Sequence, residues 1–275
     1  MHENTPDTFE VRDVNHGYGS TRAGAGPLVL EGIALSAKPK EFISIVGPSG
    51  CGKSTLLRLI SGLSKPNSGE ILIHGDPVVG PRRDVGFIFQ RDALLPWRTV
   101  VQNVQLGLKF RKMKSSESRE RAIEWLDKFG LAGMGDRFPH QMSGGQRKRA
   151  AIAATLVYEP SLLLMDEPFS ALDVQTRDLI ESDILRAWDA SEGQTVAFVT
   201  HDLEEAIAMS DRVVVMSASP GRIKSEYTID LPRPRDIMDI RGTDEFRHYY
   251  ELIWDDLRVE VKDSANRADG TVVAE

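Results

Sequence analysis

The chain has 275 residues, 41% apolar and 27% charged, which leaves ample interior for a core and excludes a disordered tail protein or a coiled-coil rod. Its 34 Lys and Arg stand against 41 Asp and Glu, a formal net charge of -7, the wrong sign for a chain that mainly grips phosphate backbones; no nucleic acid partner is expected. A single cysteine, Cys51, allows no internal disulfide, and the polar start lacks a secretory pattern, both of which fit a reducing cytosol.

Residues 8–46 read as short strands broken by turns. Phe9 to Val14 alternates, His16-Gly17-Tyr18-Gly19 is turn-rich, and Phe42 to Val46 is an apolar run suited to a buried strand. Lys53 to Ile60 switches to a helical pattern, and Ile71 to Ile73 and Val85 to Gln90 are strand-like. Residues 91–142 read as mostly helical, with Ala122, Ile123, Leu126 and Phe129 at helical spacing and Gly130 as a stop. A further helix after Gly145 extends to Glu159, and Leu162 to Met165 has the continuous apolar character of a parallel strand. The helix Leu172 to Ser191, strand Thr195 to Thr200, helix Leu203 to Met209 and strand Arg212 to Met216 continue the alternation, which predicts an open, mostly parallel sheet with helices on both faces. Ile223 to Leu231 predicts a strand and Phe246 to Val261 a helix, with residues 263–275 expected to be disordered. The apolar runs Ala150 to Val157, Ser161 to Met165 and Val213 to Met216 are too short to cross a bilayer.

Gly47-Pro48-Ser49-Gly50-Cys51-Gly52-Lys53-Ser54 fits a phosphate-binding loop, and it follows a predicted strand and opens a predicted helix. Its glycines let the backbone curl so that N–H groups point at an anion, and the helix N-terminus adds partial positive charge. Lys53 would hold the β- and γ-phosphates, with the Ser54 hydroxyl as a Mg²⁺ ligand. Leu162 to Met165 ends in Asp166 and Glu167 at the carboxyl edge of the sheet, where such folds bind ligands. Asp166 there can orient Mg²⁺ or its water, and Glu167 can polarise the attacking water as general base. Cys51 lies at a helix start that would stabilise a thiolate. The six histidines include no pair at zinc-ligand spacing, so no structural metal is expected. The basic run Arg147-Lys148-Arg149 reads as a solvated helix face.

Ser143-Gly144-Gly145-Gln146, preceded by Met142, narrows the class. With it the chain resembles the nucleotide-binding subunits of ATP-binding cassette (ABC) transporters, whose signature is Leu-Ser-Gly-Gly-Gln; Met142 for Leu is a mild apolar swap. The resemblance extends to about Arg235. It implies an α/β fold, a P-loop NTPase with a mostly parallel central sheet, an N-terminal antiparallel β subdomain, and a helical subdomain at about 91–159 carrying the signature. A single ATPase domain would span 1–262, including a strand and helix extension at about 219–262. Motif order implies the roles: Tyr18 stacks on adenine, Thr55 joins the phosphate loop, and Gln90 touches Mg²⁺ or the attacking water. Asp173 belongs to the segment Ser170-Ala171-Leu172-Asp173, and His201 holds the γ-phosphate and Glu167. Ser143, Gly144, Gly145 and Gln146 would meet the γ-phosphate of ATP on the opposite subunit, so two chains would sandwich two ATP molecules head to tail.

The same resemblance implies two transmembrane permease subunits, an external solute-binding protein reached through them, and a place at the cytoplasmic face of the inner membrane. Ala93 to Val101, dense in apolar residues around Pro96 and Trp97, suggests a docking groove for a permease helix. Leu95-Pro96-Trp97-Arg98-Thr99-Val100, Pro220-Gly221-Arg222-Ile223 and Leu231-Pro232-Arg233-Pro234-Arg235 look like importers of nitrate, sulfonate or taurine type. A soluble ABC ATPase acting on ribosomes or DNA is the alternative; the short span from Gln90 to Ser143 leaves no room for the second cassette or coiled coils that such proteins carry.

Overall fold

The computed structural model of the protein describes residues 6–21, 24–25, 27–218 and 220–268. Two compact units divide the chain, one of Met1–Arg82 with Thr195–Glu275 and the other of Arg83–Gln194.

The first unit begins with β1 (Phe9–Gly17), β2 (Ser20–Thr21), β3 (Gly24–Ala25), β4 (Leu28–Ala37), β5 (Phe42–Val46), α1 (Lys53–Ile60), β6 (Ser68–Ile73) and β7 (Asp76–Pro77). Strands β4-β1-β6-β7 pair antiparallel in that order, the antiparallel sheet that the resemblance implies. β4 is a ten-residue strand whose pairing with β1 shifts register three times, and Gly32 within it has φ 58°. These irregularities break the two-residue period, which is why the sequence shows only fragments here.

The second unit holds β8 (Val85–Ile88), α2 (Val100–Phe110), α3 (Ser115–Lys128), α4 (Gly144–Leu156), β9 (Leu162–Asp166) and α5 (Val174–Asp189). β8 and β9 run parallel, with Ile88 opposite Met165. Thr99 caps α2 in a capping box with Gln102. Buried Asn103, one turn further on, accepts from the Leu95 N–H at 2.7 Å, and its amide lies within hydrogen-bond distance of the carbonyls of Leu95, Arg98 and Thr99. That single side chain fixes the loop that presents Trp97, which is 71% exposed.

The first unit resumes with β10 (Thr195–Val199), α6 (Leu203–Met209), β11 (Arg212–Met216), β12 (Ile223–Thr228), α7 (Ile237–Ile240) and α8 (Asp244–Ala268). β5 lies between β10 and β11, parallel to both, and β12 adds antiparallel to β11. All five residues of β5 and of β10 are buried, the signature of a strand covered on both faces, each large side chain contributing about 1.5–3 kcal/mol. α8 continues through Ala268, so residues 263–268, six of those expected to be disordered, are helical, because a docked helix propagates through helix-compatible residues such as Ala265 and Ala268. Residues 269–275 lie outside the described part. No helix among the described residues is long and apolar enough to cross a membrane.

Arg235 closes the first unit. Its buried guanidinium donates to the carbonyls of Ile207, Ala208 and Ser210 at 3.3, 3.2 and 2.7 Å, and to those of Ile229 and Leu231 at 3.2 Å each. Two of these acceptors are orphan carbonyls in the last turn of α6. Arg233 adds a bond to the Met209 carbonyl at 2.8 Å and pairs with Asp211. The Leu-Pro-Arg-Pro-Arg text thus supplies two cations to a helix C-terminus. Arg235→Met should lower stability by about 3 kcal/mol, since buried carbonyls lose charge-assisted donors; a urea melt with an unchanged midpoint would show that water replaces the guanidinium.

Candidate functional site

In the first unit the parallel order sends β5, β10 and β11 out at one sheet edge. β5 runs directly into Gly47, and Gly50 and Gly52 have φ 81° and 100°, left-handed values that curl the loop. Lys53, 6% exposed, donates to the Gly47 carbonyl at 2.8 Å and the Pro48 carbonyl at 3.0 Å, so its ammonium is held inside the loop. Gly47, Pro48, Ser49, Gly50, Cys51, Gly52, Lys53 and Ser54 thus form the strand, loop and helix arrangement that the motif requires. Thr55, buried in the first turn of α1, shares a 3.1 Å hydrogen bond with the Tyr18 hydroxyl. Tyr18 is 53% exposed and meets His16 edge-on, ring centroids 5.1 Å apart, so a flat π-surface stands beside the loop, able to stack on a base. At the end of the neighbouring β10, Thr200 is anchored through its N–H to the Ile45 carbonyl and donates its hydroxyl to Glu205 at 2.5 Å. Asp202 caps α6. Exposed His201 is held between these two fixed residues at the same sheet edge as the phosphate loop.

Cys51 departs from the sequence reading. Its thiol is 1% exposed, and burial pushes it up, opposed by the nearby Lys53 charge. Desolvation outweighs the helix start, and the side chain is a packed thiol rather than a thiolate.

In the second unit β8 and β9 also leave at a shared edge, which brings Gln90 next to Asp166 and Glu167. Asp166 is buried. Glu167 has φ 44°, a left-handed conformation that a glutamate adopts at a cost. Gln90 Nε2 donates to Glu167 Oε2 at 3.1 Å and lies 3.4 Å from Ser170 Oγ, while Ser170 donates to the Glu167 carbonyl at 3.2 Å. A carboxylate so oriented can accept a proton from a water at the strand end.

Ser143 is the N-cap of α4, in a capping box with Gln146: Ser143 Oγ accepts the Gln146 N–H at 3.2 Å and Gln146 Oε1 accepts the Ser143 N–H at 3.1 Å. Gly144 and Gly145 form the first turn, where free N–H groups suit an anion. A Cβ on Gly145 would stand 2.8 Å from Thr176 Cγ2. Asp173 caps α5, and the Thr176 N–H, donated at 2.9 Å, holds its carboxyl below the usual range.

The family model of ABC transporters matches residues 30–170. The chain belongs to the ABC transporter ATP-binding proteins. An uncharacterized ABC transporter ATP-binding protein of Methanocaldococcus jannaschii is 47% identical over 232 residues, covering 84% of this chain and 85% of that one. The nitrate import ATP-binding protein NrtD of Synechocystis is 42% identical over 224 residues, 82% of this chain and 83% of its own. The aliphatic sulfonates import ATP-binding protein SsuB of Bacillus cereus is 42% identical over 228 residues, 83% and 88% of the two chains. A dimeric ATP-binding cassette in a post-hydrolysis state with ADP and Pi superposes with a TM-score of 0.72 at 33% identity, covering 82% of this chain and all of that one. The fold is that of the P-loop ABC ATPases, and the cassette is an ATPase of this family.

Two residues of the cassette escape sequence reasoning. Lys148 is 4% exposed rather than solvated, with Nζ donating to the carbonyls of Phe89 at 2.8 Å and Gln90 at 3.0 Å; burial pulls its pKa down to about 8, opposed by the charges of Asp92 and Asp166. Arg147 and Arg149 are half-buried, paired with Asp92 and Asp183. Spacing held the signal, since Lys148, Ile152 and Leu156 fall four apart on the buried face of α4. Gly221 is the second. A Cβ there would stand 1.9 Å from the Cys51 carbonyl oxygen, and its backbone bridges Val29 and Glu31 at 2.8 and 3.0 Å. Nothing local in the sequence marks this approach to the phosphate loop. Gly221→Ala should displace the loop at a cost of about 2 kcal/mol and weaken ATP binding about tenfold; calorimetric titration giving the parent Kd would mean that the loop yields freely.

Proposed function

We propose that this cassette is the ATP-hydrolysing subunit of an importer for a small anionic, sulfur- or nitrogen-containing solute of the nitrate, sulfonate or taurine kind. The observation that carries the catalytic half of the reading is the Gln90 amide 3.1 Å from the Glu167 carboxylate. Glu167 acts as general base on the attacking water, with Gln90 and His201 orienting it. Lys53 neutralises the β- and γ-phosphates, the loop N–H groups of residues 47–55 cradle them, and Tyr18 stacks on adenine. Ser143, Gly144, Gly145 and Gln146 face ATP on a second copy of the chain, with Asp173 in the adjoining segment, so each hydrolytic site needs two subunits.

A Mg²⁺ ion fits the donor set. Ser54, Asp166 and Gln90 offer hard oxygens. When bound, the ion would draw charge off the transferring phosphoryl group.

The importer half rests on the 42% identity with nitrate and sulfonate import proteins and on the exposed Trp97, held on a pinned loop. That apolar projection suits a permease helix. The subunit then sits peripherally on the cytoplasmic face of the inner membrane with two permease subunits, and through them serves a solute-binding protein.

Glu167→Gln should keep ATP affinity, lower turnover by at least about 100-fold and accumulate an ATP-dependent dimer on size exclusion; near-parent hydrolysis would remove Glu167 from its role. Lys53→Ala should instead lose ATP binding, because the phosphate counter-charge is gone. For the importer, tagged protein drawn from native membranes in mild detergent should bring a polytopic permease with it. Ribosomes or DNA-repair factors in its place would overturn the transport reading.

A further inference from the structure

We infer that Lys148 is a positioning residue for hydrolysis, tying the signature helix α4 to Gln90 by holding the two peptide planes on either side of the Gln90 Cα. The inference rests on the role given to Gln90 above. The Phe89 carbonyl belongs to the plane before that Cα and the Gln90 carbonyl to the plane after it. With both oxygens on one ammonium, at 2.8 and 3.0 Å, the backbone torsions of Gln90 are fixed, and with them the direction in which its side chain leaves the chain. Gln90 lies beyond the end of β8, where no ladder bond does this work.

The anchor itself has little freedom. Lys148 is 4% exposed on a helix of thirteen residues whose N-cap, Ser143, opens the signature. One residue earlier, Arg147 pairs with Asp92 at 3.4 Å and donates to the Met142 carbonyl at 2.8 Å, so α4 grips the segment after Gln90 as well. A buried ammonium is costly to desolvate, and an apolar residue would fill the position without that cost. The carbonyl pair is what the charge offers. A shift of α4 therefore moves Gln90 relative to the Glu167 carboxylate that its amide meets at 3.1 Å, and the end of the helix that faces a second subunit is mechanically joined to the water-orienting residue.

The test uses the full chain and steady-state ATP hydrolysis with Mg²⁺. Lys148→Met, of similar length without donors, should lower kcat about tenfold and leave KM for ATP within about twofold, because positioning and not binding is lost. Lys148→Gln keeps two N–H donors and should return kcat to within about threefold of the parent. Combined with Gln90→Ala, Lys148→Met should cost nothing beyond Gln90→Ala alone, the non-additivity expected of residues acting through one group. Losses that multiply in the double variant, or Lys148→Met turning over at the parent rate, would overturn the inference. If Lys148→Met does not fold, Lys148→Ala, which also lacks donors and is a strong helix former, carries the same cycle: multiplied losses overturn the link, and none beyond Gln90→Ala supports it. Parent-like hydrolysis by Gln90→Ala would instead overturn the role of Gln90, a failure seen in a variant that leaves Lys148 intact.

Discussion

A parallel ladder has only one carboxyl edge, and within each unit this constraint gathers the candidate site residues. Because β10 and β11 flank β5 in the same direction, the phosphate loop, the His201 turn and the end of β11 at Met216 emerge side by side. β8 and β9 repeat the arrangement in the second unit, so Gln90 and Glu167, far apart in sequence, come within one hydrogen bond. The buried strands supply rigidity and the loops supply chemistry, the division expected of open α/β sheets.

Much of this was legible in the sequence because it is encoded locally. The phosphate loop needs glycines at fixed offsets, the signature needs a cap and small residues at a helix start, and fully buried strands appear as unbroken apolar runs such as Phe42 to Val46. Elements α1, α6, β5 and β11 match their predicted bounds residue for residue. What escaped is long-range. Gly221 is required by a carbonyl 170 residues earlier in the chain, and β4 is hidden by its bulges. Lys148 differs from its sequence reading for another reason: its charge predicts a solvated position, while its four-residue spacing with Ile152 and Leu156 places it on the buried face, where converging carbonyls draw a long cationic side chain inward. The thiol of Cys51 went the same way, since a helix start counts for little once the group is sealed from water.

The arginines of the Leu231 to Arg235 segment show how a text that looks like that of certain importers can have a local physical task. Backbone carbonyls left over at the end of α6 and after β12 converge on one guanidinium, which is cheaper than burying each with its own partner. α6 begins two residues after His201, so this C-terminal strap steadies the helix that carries the histidine turn.

Glu167 has a left-handed backbone, a conformation in which glycine or asparagine would relieve on the order of 1 kcal/mol. The position therefore sets thermal robustness against chemistry. A selection scored only on folding would drift toward Gly or Asn there and return a sturdier protein, one without the general base proposed for the reaction. A glutamate at this point answers a demand that the fold by itself does not make.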